Sequence, residues 1–277
     1  MSNQNNVYTH GHHESVLRSH KWRTVENSAQ FLVPFLKDGS LLLDAGCGPG
    51  NISAGLAELI PNGKVVGIDF STDIIEQARQ EYATPIYGNL EFEQGDIYNL
   101  KFEDDSFDII YMHQVLQHLQ HPVSALIELR RVLKPGGILA CRDADYGAFT
   151  WYPELPQLAR WRELYRDVTQ RNQAESNGGR FLKSWTIDAG LDPIEIGCST
   201  WVFSNDHDRQ WWGKMWSKRV IESDFGSQAI AYGFSDEQEL EEISNAFLEW
   251  VHDPAGFWAV PNVEVIATKR LLDGPVA

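Results

Sequence analysis

The sequence predicts an α/β protein: an open, doubly wound sheet with helices on both faces. Three observations predict it. Leu41-Leu42-Leu43 is an apolar run without alternation, as in a strand covered on both faces. The chain then turns through Asp44-Ala45-Gly46-Cys47-Gly48-Pro49-Gly50 into a helix-like stretch, Asn51 to Ile60. A strand–glycine loop–helix unit stands where open α/β sheets bind ligands. Further strand-like runs, Lys64 to Asp69, Leu90 to Ile97 and Asp105 to Met112, alternate with helical ones.

Each element has its own signal. Residues 1–10 are polar, and Glu14 to Pro34 carries apolar positions near helical spacing. His10-Gly11-His12-His13 lacks a cysteine or acid at ligand spacing, so no metal is expected there. Asp69 ends the second strand, where a carboxylate can accept both hydroxyls of a ribose. Phe70 follows it and suits either an adenine face or the core. Ser71 or Thr72 can cap the next helix. Pro122 fits the first helical position of a helix that Lys134-Pro135-Gly136-Gly137 stops. Ile138 to Cys141 is the fifth strand, Ile194 to Phe203 the sixth, and Gly256 to Lys269 contains the last. Leu155 to Gln173 and Phe181 to Ala189 read as helices. Between the last two strands lies a helical insertion, about 204–255. Trp212, Met215, Trp216, Arg219 and Val220 form one stripe there, suited to core or to the roof of a pocket. Ser235-Asp236-Glu237-Gln238 reads as a capping box.

Composition narrows the function. Lys and Arg number 23 against 39 Asp and Glu, a formal net charge of −16 that disfavours phosphate backbones. No nucleic-acid partner and no membrane partner is expected. Cys47, Cys141 and Cys198 are widely spaced and read as reduced, which suits the cytoplasm. No run reaches membrane-spanning length, and no signal-peptide core is expected.

Asp44-x-Gly-x-Gly-x-Gly with Asp69 one strand later, together with Glu128 to Leu139 (E-L-R-R-V-L-K-P-G-G-I-L), resembles the class I S-adenosyl-L-methionine (SAM)-dependent methyltransferases. The group meant includes the ubiquinone and menaquinone C-methyltransferases. The resemblance is strong over about residues 40–142. It implies a Rossmann-like seven-stranded sheet ending in an antiparallel hairpin, with SAM as cofactor. It also implies an N-terminal helical cap, 1–37, on a SAM-binding domain, 38–277. In such proteins the glycine loop cradles the methionine end of SAM, which marks Asp44, Gly46, Gly48 and Gly50. Asp69 would hold the ribose, Asp96 the adenine amino group, and Ile97 and Phe70 the ring. His113 and Gln114, at the next strand end, would face the methionine moiety or the transferred methyl. His113 is the first candidate base, ahead of Asp145 and Tyr146, whereas His118 reads as a packed or capping histidine. Tyr8, His12, His13 and Arg23 are gate candidates on the cap, with Trp151 and Trp212 as candidate walls for an acceptor.

His10 to Ala29 (H-G-H-H-x-S-V-L-x-S-H-x-W-R-T-x-E-N-S-A), with Arg142-Asp143-Ala144-Asp145-Tyr146-Gly147, is similar to fungal small-molecule methyltransferases. That group includes the enzyme acting on the reduced dithiol of gliotoxin. A thiol acceptor is one option this implies. C- or O-methylation, a non-catalytic SAM-binding regulator and a nicotinamide-dependent oxidoreductase are the alternatives. Asn51, in place of the last glycine of a dinucleotide loop, stands against the oxidoreductase.

Overall fold

The structure, a computed structural model, describes residues 22–269. Its sheet has eight strands: β1 (Leu41–Ala45), β2 (Lys64–Asp69), β3 (Leu90–Gln94), β4 (Phe107–His113), β5 (Leu133–Ala144), β6 (Thr150–Tyr152), β7 (Asp192–Phe203) and β8 (Phe257–Thr268). The order is β3-β2-β1-β4-β5-β8, with β6 and β7 both paired to β8. The first five run parallel, and β8 is antiparallel to β5, β6 and β7. The expected seven strands are joined by the three-residue β6, beside Trp258.

β1 lies between β2 and β4, and Asp44 pairs with Gly67 on one side and Tyr111 on the other. The chain order reverses at this point, which opens a crevice at the strand ends. Helices α1 (Asn51–Leu59), α2 (Thr72–Glu81) and α3 (Pro122–Val132) connect the parallel strands. Ile52, Leu56 and Ala57 of α1 pack on one sheet face with Leu42, Ile109 and Ile266. Leu126, Leu129 and Val132 of α3 pack on the other with Leu43, Ile110 and Val265. Ser71 caps α2 by accepting from the Ile74 N–H, and Pro122 stands in the first turn of α3.

Some boundaries differ from expectation. β5 begins at Leu133, not Ile138, because Leu133 pairs with Phe107 before the register shifts. The described part of the N-terminal helix is a π turn, Val25–Ala29, followed by a 3-10 turn, Gln30–Phe35. Pro34 lacks the N–H that an α-helix would need there.

Helix α4 (Pro156–Arg171) and α5 (Leu182–Asp188) follow β6, and the segment between β7 and β8 folds into α6 (Asp206–Glu222), α7 (Asp224–Ala231) and α8 (Glu237–His252). The cap of α8 is Asp236, one residue later than the capping box predicts: its carboxylate accepts from the Glu239 N–H, and Ser235 bonds the Glu239 side chain. These helices share an aromatic core. Trp161, fully buried, lies 4.6 Å from the Trp216 ring, 5.4 Å from Phe247 and 5.5 Å from Trp258. No described helix is long and apolar enough to cross a membrane.

Candidate active site

One cavity, of about 280 Å³, runs from the carboxyl ends of β1, β2 and β4 up to α6. Its lower wall carries Asp44, Gly46, Gly48, Asp69, Phe70, Asp96 and Ile97; its upper wall carries Trp22, Trp201, Trp211, Trp212 and Trp216. His113, Gln114, Tyr146 and Phe149 lie on the same wall.

The glycine loop works differently from a nest of free N–H groups. The N–H groups of Gly46 and Cys47 donate to the Ile68 carbonyl at 2.8 and 2.9 Å, and that of Gly48 donates to Asp69 Oδ2 at 3.1 Å. The loop thus offers bare main chain, and its shape matters most. Gly46 has φ +81°, and a Cβ there would stand 2.4 Å from Val115 Cγ2. Gly46→Ala is expected to lower folding stability by about 1–3 kcal/mol and to weaken cofactor binding more than tenfold. Paired urea and calorimetric titrations check both.

The carboxylates are set by neighbours. Asp69 Oδ1 accepts from the Ser71 N–H at 3.0 Å, so with Gly48 the backbone orients both oxygens. Asp44 is 2 % exposed and accepts from Ser53 Oγ at 2.5 Å. Burial pushes its carboxyl up to about 7, against the Ser53 hydrogen bond and with a smaller push from Asp69. Asp96 accepts from the Tyr98 N–H at 3.0 Å and opens a turn to Asn99. Phe70 is 74 % exposed at the cavity mouth, not in the core.

At the end of β4, Gln114 holds φ +51°, a strained backbone for a non-glycine residue. Its amide bridges two elements: Oε1 accepts from Arg23 Nη2 at 2.8 Å, and Nε2 donates to Asn262 Oδ1 at 3.1 Å. Buried His113 meets the Trp201 ring edge-on at 5.5 Å. Trp201 is itself fixed, donating from Nε1 to the Asn27 carbonyl at 2.6 Å and lying under Arg142 at 4.6 Å. Arg142 in turn donates to Ser199 and Glu264.

Three expected positions lie off this wall. Gly50 is the N-cap of α1 with φ +87°, and a Cβ there would strike the Phe92 ring at 2.4 Å, so it shapes the turn behind the cavity. Asp145 caps the turn at Tyr146–Ala148 and pairs with Arg180 through two contacts of 2.6 Å, so its charge is already matched. Trp151 stacks on Trp258 at 4.6 Å and under Arg162, within the helical core. Tyr8, His12 and His13 lie outside the described residues.

His118, expected as a packed or capping histidine, is half-buried and also lines the cavity. Burial, with Arg23 and Arg219 nearby, pushes its imidazole down to about 3, so it is neutral at physiological pH. Trp22 and Trp201 were not expected as walls. Nothing in their local pattern marks them, since 179 positions of chain separate the two. Cys47 and Cys141 are buried, but Cys198 is exposed.

Comparison with known proteins settles the class. A family model described as a methyltransferase domain matches residues 36–205. A protein of Schizosaccharomyces pombe named as a methyltransferase is 31% identical over 279 residues, covering 95% of this chain and 96% of its own. The chain belongs to the methyltransferase domain family. A second relative named as a methyltransferase, from Aspergillus luteorubrus, is 30% identical over 96% of this chain and 98% of its own. Among solved structures, a Bacillus halodurans protein named as a methyltransferase shares the fold with a TM-score of 0.58 at 20% identity, covering 88% of this chain and 98% of its own. A geranyl diphosphate methyltransferase crystallised with sinefungin has a TM-score of 0.51 at 18% identity, covering 87% and 77%.

Proposed function

We propose that the methyltransferase carries the methyl group of SAM to a small apolar or aromatic acceptor, with a thiol as the first nucleophile to test. The observation that carries this reading is how the two ends of this cavity are lined. Acids and bare glycine backbone line its lower end, and five tryptophans line its upper end.

The wall fits the donor residue by residue. Asp69 would take the ribose hydroxyls, for which its backbone bonds already aim it. Asp96 would accept from the adenine amino group, with Ile97 and the exposed Phe70 ring on the base. Asp44 would face the methionine ammonium, and Arg23, held beside the glycine loop by Gln114, its carboxylate. A methionyl ammonium favours ionised Asp44. Donor affinity therefore falls about tenfold per pH unit below about 7, where Asp44 takes up a proton in the ligand-free protein. Calorimetry with S-adenosylhomocysteine (SAH) from pH 5.5 to 8 checks this, and Asp44→Asn is expected to flatten the profile.

Bound SAM supplies a methyl group on a cationic sulfur. The chain must align the nucleophile with that group and keep water away. Alignment contributes about 7–11 kcal/mol, against roughly 3–5 kcal/mol for a general base. The five tryptophans on the wall provide the apolar enclosure. His113, buried between the strand end and Trp201, stands where it can take a proton from a thiol or hydroxyl. A thiol is partly ionised near neutral pH and needs the least help.

Turnover with labelled SAM and matched dithiol, phenol and amine acceptors tests the reading. S-methyl product supports it. Methylation of the phenol or amine alone removes the thiol assignment and leaves the enzyme class standing. SAH binding without turnover of any acceptor favours a regulatory SAM-binding protein.

A further inference from the structure

We propose that Asn262, behind the cavity wall, is a positioning residue for the methyl donor: acting through Gln114, it sets where Arg23 holds the carboxylate of the donor's methionine. The proposal rests on the reading above, in which Arg23 meets that carboxylate. Asn262 lies in the middle of β8 and is fully buried. Among the described residues, Gln114 and Arg23 line the cavity and Asn262 does not.

A relay of hydrogen bonds runs from the strand to Arg23. Asn262 Nδ2 donates to the Val260 carbonyl at 2.8 Å, and Asn262 Oδ1 accepts from Gln114 Nε2 at 3.1 Å. Gln114 Oε1 then accepts from Arg23 Nη2 at 2.8 Å. Every link has one polarity. A backbone carbonyl accepts and never donates, so it fixes which way the Asn262 amide faces. Asn262 in turn fixes the Gln114 amide and leaves its oxygen for the guanidinium, which donates and never accepts. Were the Asn262 amide reversed, Gln114 would turn its NH₂ on Arg23, donor against donor. Away from water such a mismatch is costly, because the unpaired group cannot be solvated instead.

Both ends of the relay are held. The Gln114 N–H donates to the Arg142 carbonyl at 2.7 Å, and its φ of +51° gives the side chain one point of departure. On the other side, the Arg23 carbonyl accepts from Asn51 Nδ2, at the start of α1. The guanidinium lies 5.7 Å from the Trp201 ring centroid. Arg23 is thus tied by its backbone to the helix that follows the glycine loop, and by its side chain to the sheet. A guanidinium fixed in this way meets a carboxylate with less loss of side-chain freedom than a loose one. No local pattern marks the relay, since 91 positions separate Arg23 from Gln114 and 148 separate Gln114 from Asn262.

Calorimetric titration of the full chain with SAH and with 5′-methylthioadenosine tests this. The second probe keeps the adenosine and the sulfur but lacks the amino-acid carboxylate. Asn262→Leu is expected to weaken SAH about tenfold and methylthioadenosine less than about twofold. General damage to the fold would weaken both alike. Arg23→Met should remove the preference for SAH. The double variant should bind SAH within about twofold of Arg23→Met alone, because both changes break one relay. Asn262→Asp keeps an oxygen facing Gln114 and should stay within about threefold of the parent. Unchanged SAH affinity in Asn262→Leu, equal losses for the two probes, additive losses in the double variant, or a tenfold loss in Asn262→Asp overturns the proposal. Should Asn262→Leu fail to fold, Asn262→Ala is read in its place by the same comparison. A parent chain that does not prefer SAH to methylthioadenosine takes Arg23 away from the donor carboxylate, and one that binds neither probe removes the donor assignment. Either result is a failure of the reading above, and this proposal falls with it.

Discussion

Asp69→Ala is expected to lower SAH affinity by about 10²–10⁴-fold. The carboxylate would make two charge-assisted hydrogen bonds to the ribose, each worth about 1.5–3 kcal/mol. Both oxygens are already aimed by backbone donors, at 3.1 Å from Gly48 and 3.0 Å from Ser71. The alanine variant leaves those two N–H groups to solvent at a half-buried site. The fold should therefore lose at most about 1–3 kcal/mol. Asp69→Asn keeps an acceptor oxygen and removes the charge, so it should fall between parent and alanine. Calorimetry measures the affinities, and urea unfolding of the ligand-free proteins separates binding from folding. SAH binding by Asp69→Ala as tight as by the parent would exclude the ribose role.

Asp143→Asn is expected to stabilise the ligand-free protein at alkaline pH by several kcal/mol. Asp143 is buried at the end of β5. Its Oδ2 accepts from the Gln117 N–H at 3.1 Å, and among the described residues Oδ1 has no partner within hydrogen-bond geometry. Burial pushes its carboxyl up to about 8, although the backbone donors and the charges of Arg142 and Arg23 pull the other way. The folded state thus holds a proton that the unfolded state gives up near pH 4. Stability falls as pH rises between those values, on the order of 1.4 kcal/mol per pH unit, and the loss is complete above about 8. Asparagine keeps the acceptor and carries no charge at any pH. Its advantage should be absent below about pH 4, grow through neutrality and level off near pH 8 to 9. Urea unfolding at pH 4, 6 and 9 follows this. A variant no more stable than the parent at pH 9 would show that Asp143 folds as an anion.

Much of the proposed donor end was legible in the sequence because its chemistry is local. Asp44, Gly46 and Gly48 stand at or just beyond the end of β1, Asp69 ends β2 and Asp96 follows β3, a spacing that the sheet converts into one wall. The proposed acceptor end was less legible because it is assembled from distant segments. Trp22 comes from before the sheet, Trp201 from β7, and Trp211, Trp212 and Trp216 from α6. The stripe on α6 was visible at helical spacing, but a stripe alone does not separate core from pocket, and α6 contributes to both. Val220 is fully buried in the core, while Trp212 and Trp216 touch core and cavity together. Asp145 and Trp151 share the loop side of β5 with true wall residues. Their partners, Arg180 and Trp258, lie 35 and 107 positions away, and no local pattern announces them. The internal bonding of the glycine loop was equally hidden, since it depends on the Ile68 carbonyl of the neighbouring strand.

The central claim is that one cavity receives donor and acceptor end to end. A crystal structure of the chain with SAH tests it most directly. The account predicts ribose hydroxyls within hydrogen-bond distance of Asp69, adenine beside Asp96 and Phe70, and the sulfur directed at the compartment of Trp201, Trp212 and Trp216. Adenosine lodged among the tryptophans, or a sulfur turned away from them toward solvent, would contradict it.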